Sequence, residues 1–225
     1  MNVLITGGAS GLGAAIARRI ADDGGRPLVI DRHPPKYDVE NMQADLTDRP
    51  CTERAVHSLA RQAGGLDAVV TAAGIDACGT LADIPAEDWE RVIQVNLMGT
   101  AAVVRAALPY LVHAPNGRVV TCASTLGLKA LSDATAYCAS KFGVVGFTRA
   151  LAAELAGQVG VTMLVPGGMD TAFFDGRDEQ YKPGPDAQLN RPENVAAAVA
   201  FALAQPPGCE VRELVVCPAR EPSWP

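Results

Sequence analysis

The sequence predicts an α/β protein with a doubly wound parallel sheet, flanked by helices on both faces and formed as a single domain over residues 1–225. Short apolar runs alternate with helix-like segments along the whole chain, which is the pattern of repeated strand–helix–strand units. The apolar runs are nearly continuous, as expected for strands that are covered on both sides. No linker divides the 225 residues, and a hydrophobic content of 48% is enough for one large core.

Seven short runs, most of them rich in apolar and β-branched residues, are predicted to be strands. Only about nine residues separate the second run from the third, which is too few for a crossover helix, so a loop is predicted there. The predicted strands are VLIT (3–6), PLVID (27–31), NMQAD (41–45), DAVVTAA (67–73), GRVVTCA (117–123), VTMLV (161–165) and RELVV (212–216).

The segments between these strands are predicted to be helices. The first of them, GLGAAIARRIADDG, is rich in alanine and carries apolar residues at spacings of three and four. The third and the fourth are long and apolar, as expected for helices that pack on a sheet. The predicted helices span 11–24, 50–63, 86–113, 134–156 and 192–205.

Charge and composition argue against several classes of protein. The formal net charge is −6 and no run rich in lysine or arginine occurs, so we expect neither a nucleic-acid partner nor an anionic membrane surface. The N-terminal MNVLITGG lacks the features of a signal peptide, and no apolar stretch has transmembrane length, so a soluble cytoplasmic protein is expected. The six cysteines form no C-x-x-C pair and the three histidines are far apart, so we expect reduced thiols and no metal site.

A glycine-rich turn is predicted between the first strand and the first helix. The segment TGGASGLG, residues 6–13, contains Gly7, Gly11 and Gly13. Glycines allow positive φ and a close approach of the backbone to a ligand, and the following helix N-terminus offers free N–H groups to a pyrophosphate. In this context the turn predicts dinucleotide binding rather than a simple strand–helix connection.

Asp31 ends the second predicted strand, 18 residues after Gly13. A carboxylate at this point can accept hydrogen bonds from both ribose hydroxyls of NAD, and it repels the 2′-phosphate of NADP. Arg32 keeps NADP open as an alternative, because a guanidinium could pair with that phosphate; it could also lie against the adenine ring. We therefore predict NAD as the cofactor, with NADP as the alternative.

Tyr137 and Lys141, in YCASK, are one helical turn apart, a spacing that alone fits an ordinary helix surface as well as a proton-transfer site. Other motifs decide between the two. They are, in chain order, the turn 6–13, Asp45–Leu46, TAAG (71–74), Asn96, Ser124 and PGGMDT (166–171). With these motifs in this order, nearly the whole chain resembles the short-chain dehydrogenase/reductase family, which implies a Rossmann-type fold.

The resemblance also implies which residues bind the cofactor. Asp45 would contact the adenine amino group, and Thr171 with its neighbouring backbone would hold the nicotinamide carboxamide. The cofactor-binding residues implied are Gly7, Ser10, Gly11, Leu12, Gly13, Asp31, Arg32, Asp45, Leu46, Ala73, Gly74, Tyr137, Lys141, Pro166, Gly167, Met169 and Thr171. The chain departs from the family at TAAG, where Thr71 and Ala72 replace two asparagines whose side chains normally tie this loop.

Four catalytic residues are implied in the same way. Tyr137 would give or take the proton of the substrate oxygen while a hydride moves at the adjacent carbon. Lys141 would lower the pKa of this tyrosine and bond the nicotinamide ribose. Ser124 would hydrogen-bond the substrate oxygen, and Asn96 would hold a water that links Lys141 to solvent.

Substrate contacts are expected at the carboxyl ends of the strands. The stretch 172–190, with several aromatic residues, charges and prolines, is predicted to be a mobile substrate lid. A small, partly apolar alcohol or carbonyl compound is the expected substrate. The candidate contact residues are Ile75, Asp76, Thr125, Leu126, Leu131, Thr135, Gly168 and Met169.

A homodimer or homotetramer is expected, because small and apolar residues over 141–155 could form an interface. The tail 220–225 is hypothesised to reach a neighbouring subunit. As a whole, the sequence predicts an NAD-dependent dehydrogenase or reductase of secondary alcohols and ketones. Two alternatives remain: an NADPH-dependent 3-oxoacyl thioester reductase, and a non-catalytic dinucleotide sensor or scaffold on the same fold.

Overall fold

A computed structural model describes residues 1–224 and confirms the predicted doubly wound parallel sheet. Seven strands pair in the order β3-β2-β1-β4-β5-β6-β7, and every neighbouring pair is parallel. The strands are β1 (Asn2–Thr6), β2 (Arg26–Asp31), β3 (Glu40–Gln43), β4 (Ala68–Thr71), β5 (Arg118–Cys122), β6 (Gly160–Pro166) and β7 (Glu213–Val216).

Six α-helices cover the two faces of this sheet. On one face α1 packs against α6, and on the other α2 packs against α4, with α5 beside them. No helix lies between β2 and β3, so the prediction of a loop there is confirmed. The helices are α1 (Gly11–Asp22), α2 (Arg49–Ala63), α3 (Ala86–Ile93), α4 (Thr100–Leu111), α5 (Thr135–Glu154) and α6 (Pro192–Leu203).

Buried apolar side chains form a core layer on each face of the sheet. In the central strands β4, β5 and β6 every residue is buried, which explains why their sequences are continuous apolar runs rather than alternating ones. The edge strand β3 has no buried residue, which explains its polar sequence. The two layers hold the strands rigidly and thereby fix the loops at their carboxyl ends.

The long helix predicted over 86–113 is interrupted by one wider turn. A π-helical segment, Gln94–Gly99, joins α3 to α4 and carries the buried side chain of Asn96. A π-helical turn shifts the register of a helix and is frequent at functional sites. Within the described residues, Ala86–Leu111 alone is long and apolar enough to cross a membrane, but 56% of its apolar window is buried, as in the core helix of a globular protein.

The strand order reverses at β1, which lies between β2 and β4. At such a switch point the loops leaving two neighbouring strands turn to opposite faces and open a crevice at the carboxyl ends. The turn 6–13 and the TAAG segment leave β1 and β4 at this crevice. The fold therefore positions the predicted cofactor residues before any side-chain contact is considered.

Candidate active site

One large cleft, of about 1170 Å³, opens along the carboxyl edge of the sheet. It is lined by every predicted cofactor residue from Gly7 to Thr171, and by the predicted catalytic residues Ser124, Tyr137 and Lys141. Of the residues predicted for cofactor or catalysis, Asn96 alone does not line it; this asparagine lies behind the wall of the cleft. Residues that are up to 164 positions apart in sequence are thus brought to one site.

The glycine-rich turn has the geometry of a cradle for an anionic group. Gly7 and Gly11 have φ values of 71° and 51°, in the region that favours glycine. A Cβ atom on Gly13 would overlap the carbonyl oxygen of Gly7, so α1 can begin this close to β1 only with glycine there. A Cβ on Gly11 would point toward Thr171, 3.6 Å away, across the cleft. The turn therefore fits a nucleotide pyrophosphate at the N-terminus of α1.

Asp31 is held in a fixed orientation at the end of β2. One carboxylate oxygen accepts a hydrogen bond from the backbone N–H of Ala9 at 2.9 Å, and the other accepts one from His33 at 2.9 Å. Each oxygen keeps a lone pair for a further donor. Arg32 is exposed, and its Nε donates to the ring of His33 at 3.3 Å. The carboxylate is thus positioned to accept ribose hydroxyls and to repel a phosphate.

Asp45 is tied to the helix that carries Asn96. Its carboxylate accepts hydrogen bonds from the backbone and the hydroxyl of Thr47, and from Arg91 of α3 at 2.7 Å. Burial raises the pKa of Asp45, but these hydrogen bonds outweigh it, so the net pKa lies below the ordinary value. Asp45 is therefore ionised at neutral pH and holds Arg91 at the wall of the cleft.

The altered TAAG loop is held by groups outside itself. The hydroxyl of Thr71 is buried and has no hydrogen-bond partner within residues 1–224. The backbone N–H of Ala73 instead donates to the hydroxyl of Thr6 at 3.2 Å. Asn96 then clamps Ile75 from both sides, because it accepts from the backbone N–H and donates to the backbone carbonyl, each at 2.9 Å.

Asn96 has no free donor in this arrangement. Its second amide hydrogen goes to the hydroxyl of Ser140 at 3.0 Å, and Ser140 in turn donates to the carbonyl of Tyr137. The side-chain oxygen of Asn96 and the ammonium of Lys141 both lie near Gly74. A Cβ atom built on Gly74 would be 3.5 Å from the Asn96 oxygen and 3.6 Å from the Lys141 nitrogen. A water relay through Asn96, if present, would have to use the remaining lone pair of this oxygen.

Tyr137 is half-buried in α5 and faces the cleft. Burial raises the pKa of its phenol well above the ordinary value, and the nearby Cys122 raises this pKa further. Hydrogen bonding by Ser124 lowers it, but by less than burial raises it. The hydroxyl of Ser124 also accepts from the backbone N–H of Leu126 at 3.1 Å, so this serine caps a short 3-10 turn as well as facing Tyr137. The phenol is therefore protonated at neutral pH.

Lys141 is almost fully buried beneath the tyrosine. Its ammonium donates to the backbone carbonyl of Cys122 at 2.8 Å and lies 5.5 Å from the centre of the Tyr137 ring. Burial lowers the pKa of Lys141. Burial dominates the pKa of the Tyr137 phenol, and the prediction that Lys141 together with a nicotinium ring lowers this pKa stays a prediction.

Comparison with known proteins shows the family of the chain. The family model described as short chain dehydrogenase matches residues 1–182. The chain belongs to the short-chain dehydrogenase/reductase family. An uncharacterized oxidoreductase of Staphylococcus aureus is 31% identical over 226 residues, with 96% of each chain covered. The chain is therefore an oxidoreductase of this family.

Two solved structures of the family are similar over almost the whole chain. An alcohol dehydrogenase from the archaeon Thermococcus sibiricus, in complex with 5-hydroxy-NADP, is 25% identical with a TM-score of 0.84, covering 96% of this chain and 95% of that one. A variant of the actinorhodin polyketide ketoreductase, with NADPH, is 28% identical with a TM-score of 0.86 and the same coverage. Both neighbours therefore hold NADP-type cofactors in a short-chain dehydrogenase/reductase fold.

The predicted lid, 172–190, forms an irregular wall that is tied to the β4 loop by a largely buried ion pair. Arg177 donates to Asp76 at 2.7 Å, and their side chains are 18% and 6% exposed. The guanidinium also lies over the rings of Phe173 and Phe174, at 4.9 Å and 4.6 Å from their centres. The Phe173 ring is 5.7 Å from that of Tyr137, so this cluster lies against the Tyr137 side of the cleft.

One predicted substrate contact lies elsewhere. Thr135 does not line the cleft, because it begins α5 on the outside and its hydroxyl accepts from the indole of Trp89 at 3.1 Å. The prediction of a substrate contact at Thr135 was wrong, because its side chain lies on the side of α5 that faces Trp89. The other seven predicted contacts do line the cleft.

The C-terminal tail is the part of the site that the sequence did not indicate. Residues 220–223 line the cleft of their own chain, and the hypothesis that the tail 220–225 reaches a neighbouring subunit stays a prediction, with Pro225 outside the described residues. One signal could have revealed this position at the cleft. The tail directly follows β7, whose carboxyl end lies at the same edge of the sheet as the site.

Proposed function

We propose that the protein transfers a hydride between NAD(H) and a secondary alcohol or ketone, with Tyr137 as general acid and base. The observation that carries this proposal is the joint position of Tyr137, Ser124 and Lys141 on one wall of the cleft that also contains the glycine-rich turn and Asp31. Fold alone would not support it, since one fold hosts many activities.

The nicotinamide dinucleotide, when bound, would supply or accept the hydride. The chain's own residues would handle the proton. In reduction, the protonated phenol of Tyr137 would donate to the substrate oxygen as negative charge develops there, and its raised pKa keeps it protonated for this step. Ser124 would hydrogen-bond the same oxygen.

The remaining residues would hold the cofactor and keep the site ordered. Lys141 uses one of its three N–H donors within residues 1–224, so two are available for ribose hydroxyls. Asp31 would accept the hydroxyls of the other ribose, which favours NAD. Asn96 would act through the β4 loop, by fixing Ile75 and the Ser140–Tyr137 contact.

A second candidate is an NADPH-dependent 3-oxoacyl thioester reductase. The similarity to a polyketide ketoreductase with NADPH favours it, whereas the carboxylate of Asp31 argues against its cofactor. Parallel assays with NADH and NADPH on simple ketones and on 3-oxoacyl thioesters would separate the two. Faster turnover of thioesters with NADPH would favour the second candidate.

Two exposed apolar side chains and the net charge bear on assembly and location. Phe142 of α5 and Met98 of the π-helical segment are 45% and 61% exposed, which is unusual for large apolar side chains and supports a homodimer or homotetramer through this face. Light scattering of the wild type and of Phe142→Glu would test it. A net charge of −6 disfavours binding to nucleic acid and to anionic membranes, and we propose a small-molecule partner and a cytoplasmic location.

The activity is tested by following NADH oxidation with a panel of ketones, and NAD reduction with the matching alcohols. Tyr137→Phe should lower kcat/KM by roughly 10²- to 10⁴-fold, the usual contribution of a general acid, while NADH affinity stays unchanged. Tyr181→Phe is the matched control, because this tyrosine lines the same cleft from the lid. Full activity of Tyr137→Phe, or no turnover of any panel member by the wild type, would overturn the proposal.

A further inference from the structure

The last described residues of the chain form a strap across the cleft. The carboxylate of Glu221 accepts a hydrogen bond from the backbone N–H of Gly168 at 2.7 Å. Its other oxygen accepts from the backbone N–H and the hydroxyl of Ser223, at 3.0 Å and 2.6 Å. Because the one hydroxyl proton of Ser223 is used in this way, the hydroxyl of Thr125 is the donor in the 2.6 Å contact between Thr125 and Ser223.

This chain of contacts joins two loops that hold different parts of the site. Gly168 belongs to the loop after β6, which carries the predicted nicotinamide contacts, and Thr125 directly follows Ser124 after β5. Lys129 adds a further contact from the same side, since its ammonium donates to the carbonyl of Pro222 at 3.1 Å. The tail is therefore attached on both sides of the cleft and not merely draped over it.

The loop after β6 is built to receive the Glu221 carboxylate. A Cβ on Gly167 would overlap this carboxylate, and a Cβ on Gly168 would lie 3.7 Å from it. The backbone N–H of Gly167 donates to the carbonyl of Val216, at the end of β7, so the loop is anchored to the strand from which the tail departs. Hydrogen bonds to a carboxylate are stronger than those between neutral groups, so Glu221 contributes more than a passing contact.

We propose that residues 220–223 are a built-in wall of the substrate site, with Glu221 as a positioning residue that locks the 166–168 loop to the Ser124 segment. The tail thereby excludes bulky substrates and holds Ser124 beside Tyr137. The part of this proposal that concerns substrates rests on the proposed function; the part that concerns loop locking does not.

Hydrogen–deuterium exchange tests whether Glu221 locks the 166–168 loop to the Ser124 segment, and it needs no measurement of turnover. In Glu221→Ala and in a chain ending at Ala219, amides of 167–169 and 124–129 should exchange about tenfold faster than in the wild type, as expected on loss of a charge-assisted hydrogen bond. Glu193→Gln is the matched control, since Glu193 is an exposed acid on α6. Equal exchange in all four proteins overturns the proposal. If the shortened chain does not fold, Glu221→Ala and Ser223→Ala carry the test.

Steady-state kinetics then test the wall. For the shortened chain, the ratio of kcat/KM for a bulky aryl ketone to that for acetone should rise about tenfold, since one good contact or clash changes such ratios by this amount. For Glu221→Ala, kcat with acetone should fall and NADH should bind more weakly, because the released 166–168 loop carries predicted nicotinamide contacts. An unchanged ratio would overturn the proposal that residues 220–223 form a wall of the substrate site. If neither the wild type nor any variant turns over any ketone, the proposed function fails. The hydrogen–deuterium exchange data would still decide whether Glu221 locks the 166–168 loop to the Ser124 segment.

Discussion

The ammonium of Lys141 donates a hydrogen bond to the backbone carbonyl of Cys122 at 2.8 Å, at the carboxyl end of β5. This contact holds a nearly fully buried cation beneath the Tyr137 ring, with two further donors available for a ligand. Burying an ammonium lowers the stability of the fold unless the ammonium is hydrogen-bonded. Lys141 is therefore held in place for a ligand at some cost in folding free energy. It lies where the predicted nicotinamide ribose would be bound.

Lys141→Met should therefore weaken NADH binding about tenfold or more, the effect of losing hydrogen bonds to a charged group. Calorimetric titration measures it. Lys36→Met is the matched control, because Lys36 is exposed in the loop between β2 and β3. Equal NADH affinity in both variants would mean that Lys141 serves only the Cys122 carbonyl.

The raised pKa of Tyr137 predicts the pH dependence of ketone reduction. The raised pKa keeps the phenol protonated through neutrality, and reduction needs this protonated form. At saturating NADH, kcat/KM for a ketone should stay flat from mildly acidic to neutral pH and fall only at alkaline pH. The profile of Tyr181→Phe should be the same. A decline centred near neutrality would indicate that Tyr137 is already a phenolate there.

Most of the fold was predictable, because each element has a local cause. The central strands are buried on both sides and are therefore continuous apolar runs, and the glycines at 7 and 11 mark a turn that needs positive φ. The cofactor residues were implied mainly by the resemblance to the family, and all of them line the cleft at the ends of these elements. The interruption at Gln94–Gly99 was not predictable, since a π-helical turn has the same composition as the helices around it.

Parts of the site that depend on long-range contacts were not predictable. Asp76 and Arg177 are 101 positions apart, and neither sits in a pattern that marks an ion pair. The contact between Thr125 and Ser223 joins residues 98 positions apart in the same way. The pKa of Tyr137 also depends on how deeply the fold buries the phenol, which the spacing of Tyr137 and Lys141 does not reveal.

The ion pair of Arg177 with Asp76 predicts a stable lid. Arg177→Met leaves the carboxylate of Asp76 buried and uncompensated, and breaking a buried pair in this way costs roughly 3–5 kcal/mol locally. Chymotrypsin should then cleave the lid at its aromatic residues faster, and the KM for ketones should rise. Lys182→Met, which breaks the exposed Glu179–Lys182 pair of the same lid, should change neither. Equal cleavage of the two variants would contradict the role of Arg177.

The carboxylate of Asp31 predicts the choice of cofactor. The wild type should bind NADH more tightly than NADPH, and Asp31→Ala should reduce or reverse this preference, because it removes both the ribose acceptor and the repulsion of the 2′-phosphate. Calorimetry with both cofactors measures it, with Asp48→Ala, at the start of α2, as the control. Tighter binding of NADPH by the wild type would assign Arg32 the dominant role.

Transfer of a labelled hydride tests the proposed chemistry most directly. NADH deuterated at the transferable position of nicotinamide C4 is incubated with wild type or Tyr137→Phe and a panel of ketones, and the alcohols are analysed by mass spectrometry. We expect deuterium at the carbinol carbon of at least one product with the wild type, and a yield lower by roughly 10²-fold or more with Tyr137→Phe. An absence of labelled alcohol from a wild type that binds NADH, or equal labelling by the two proteins, would contradict Tyr137-dependent hydride transfer.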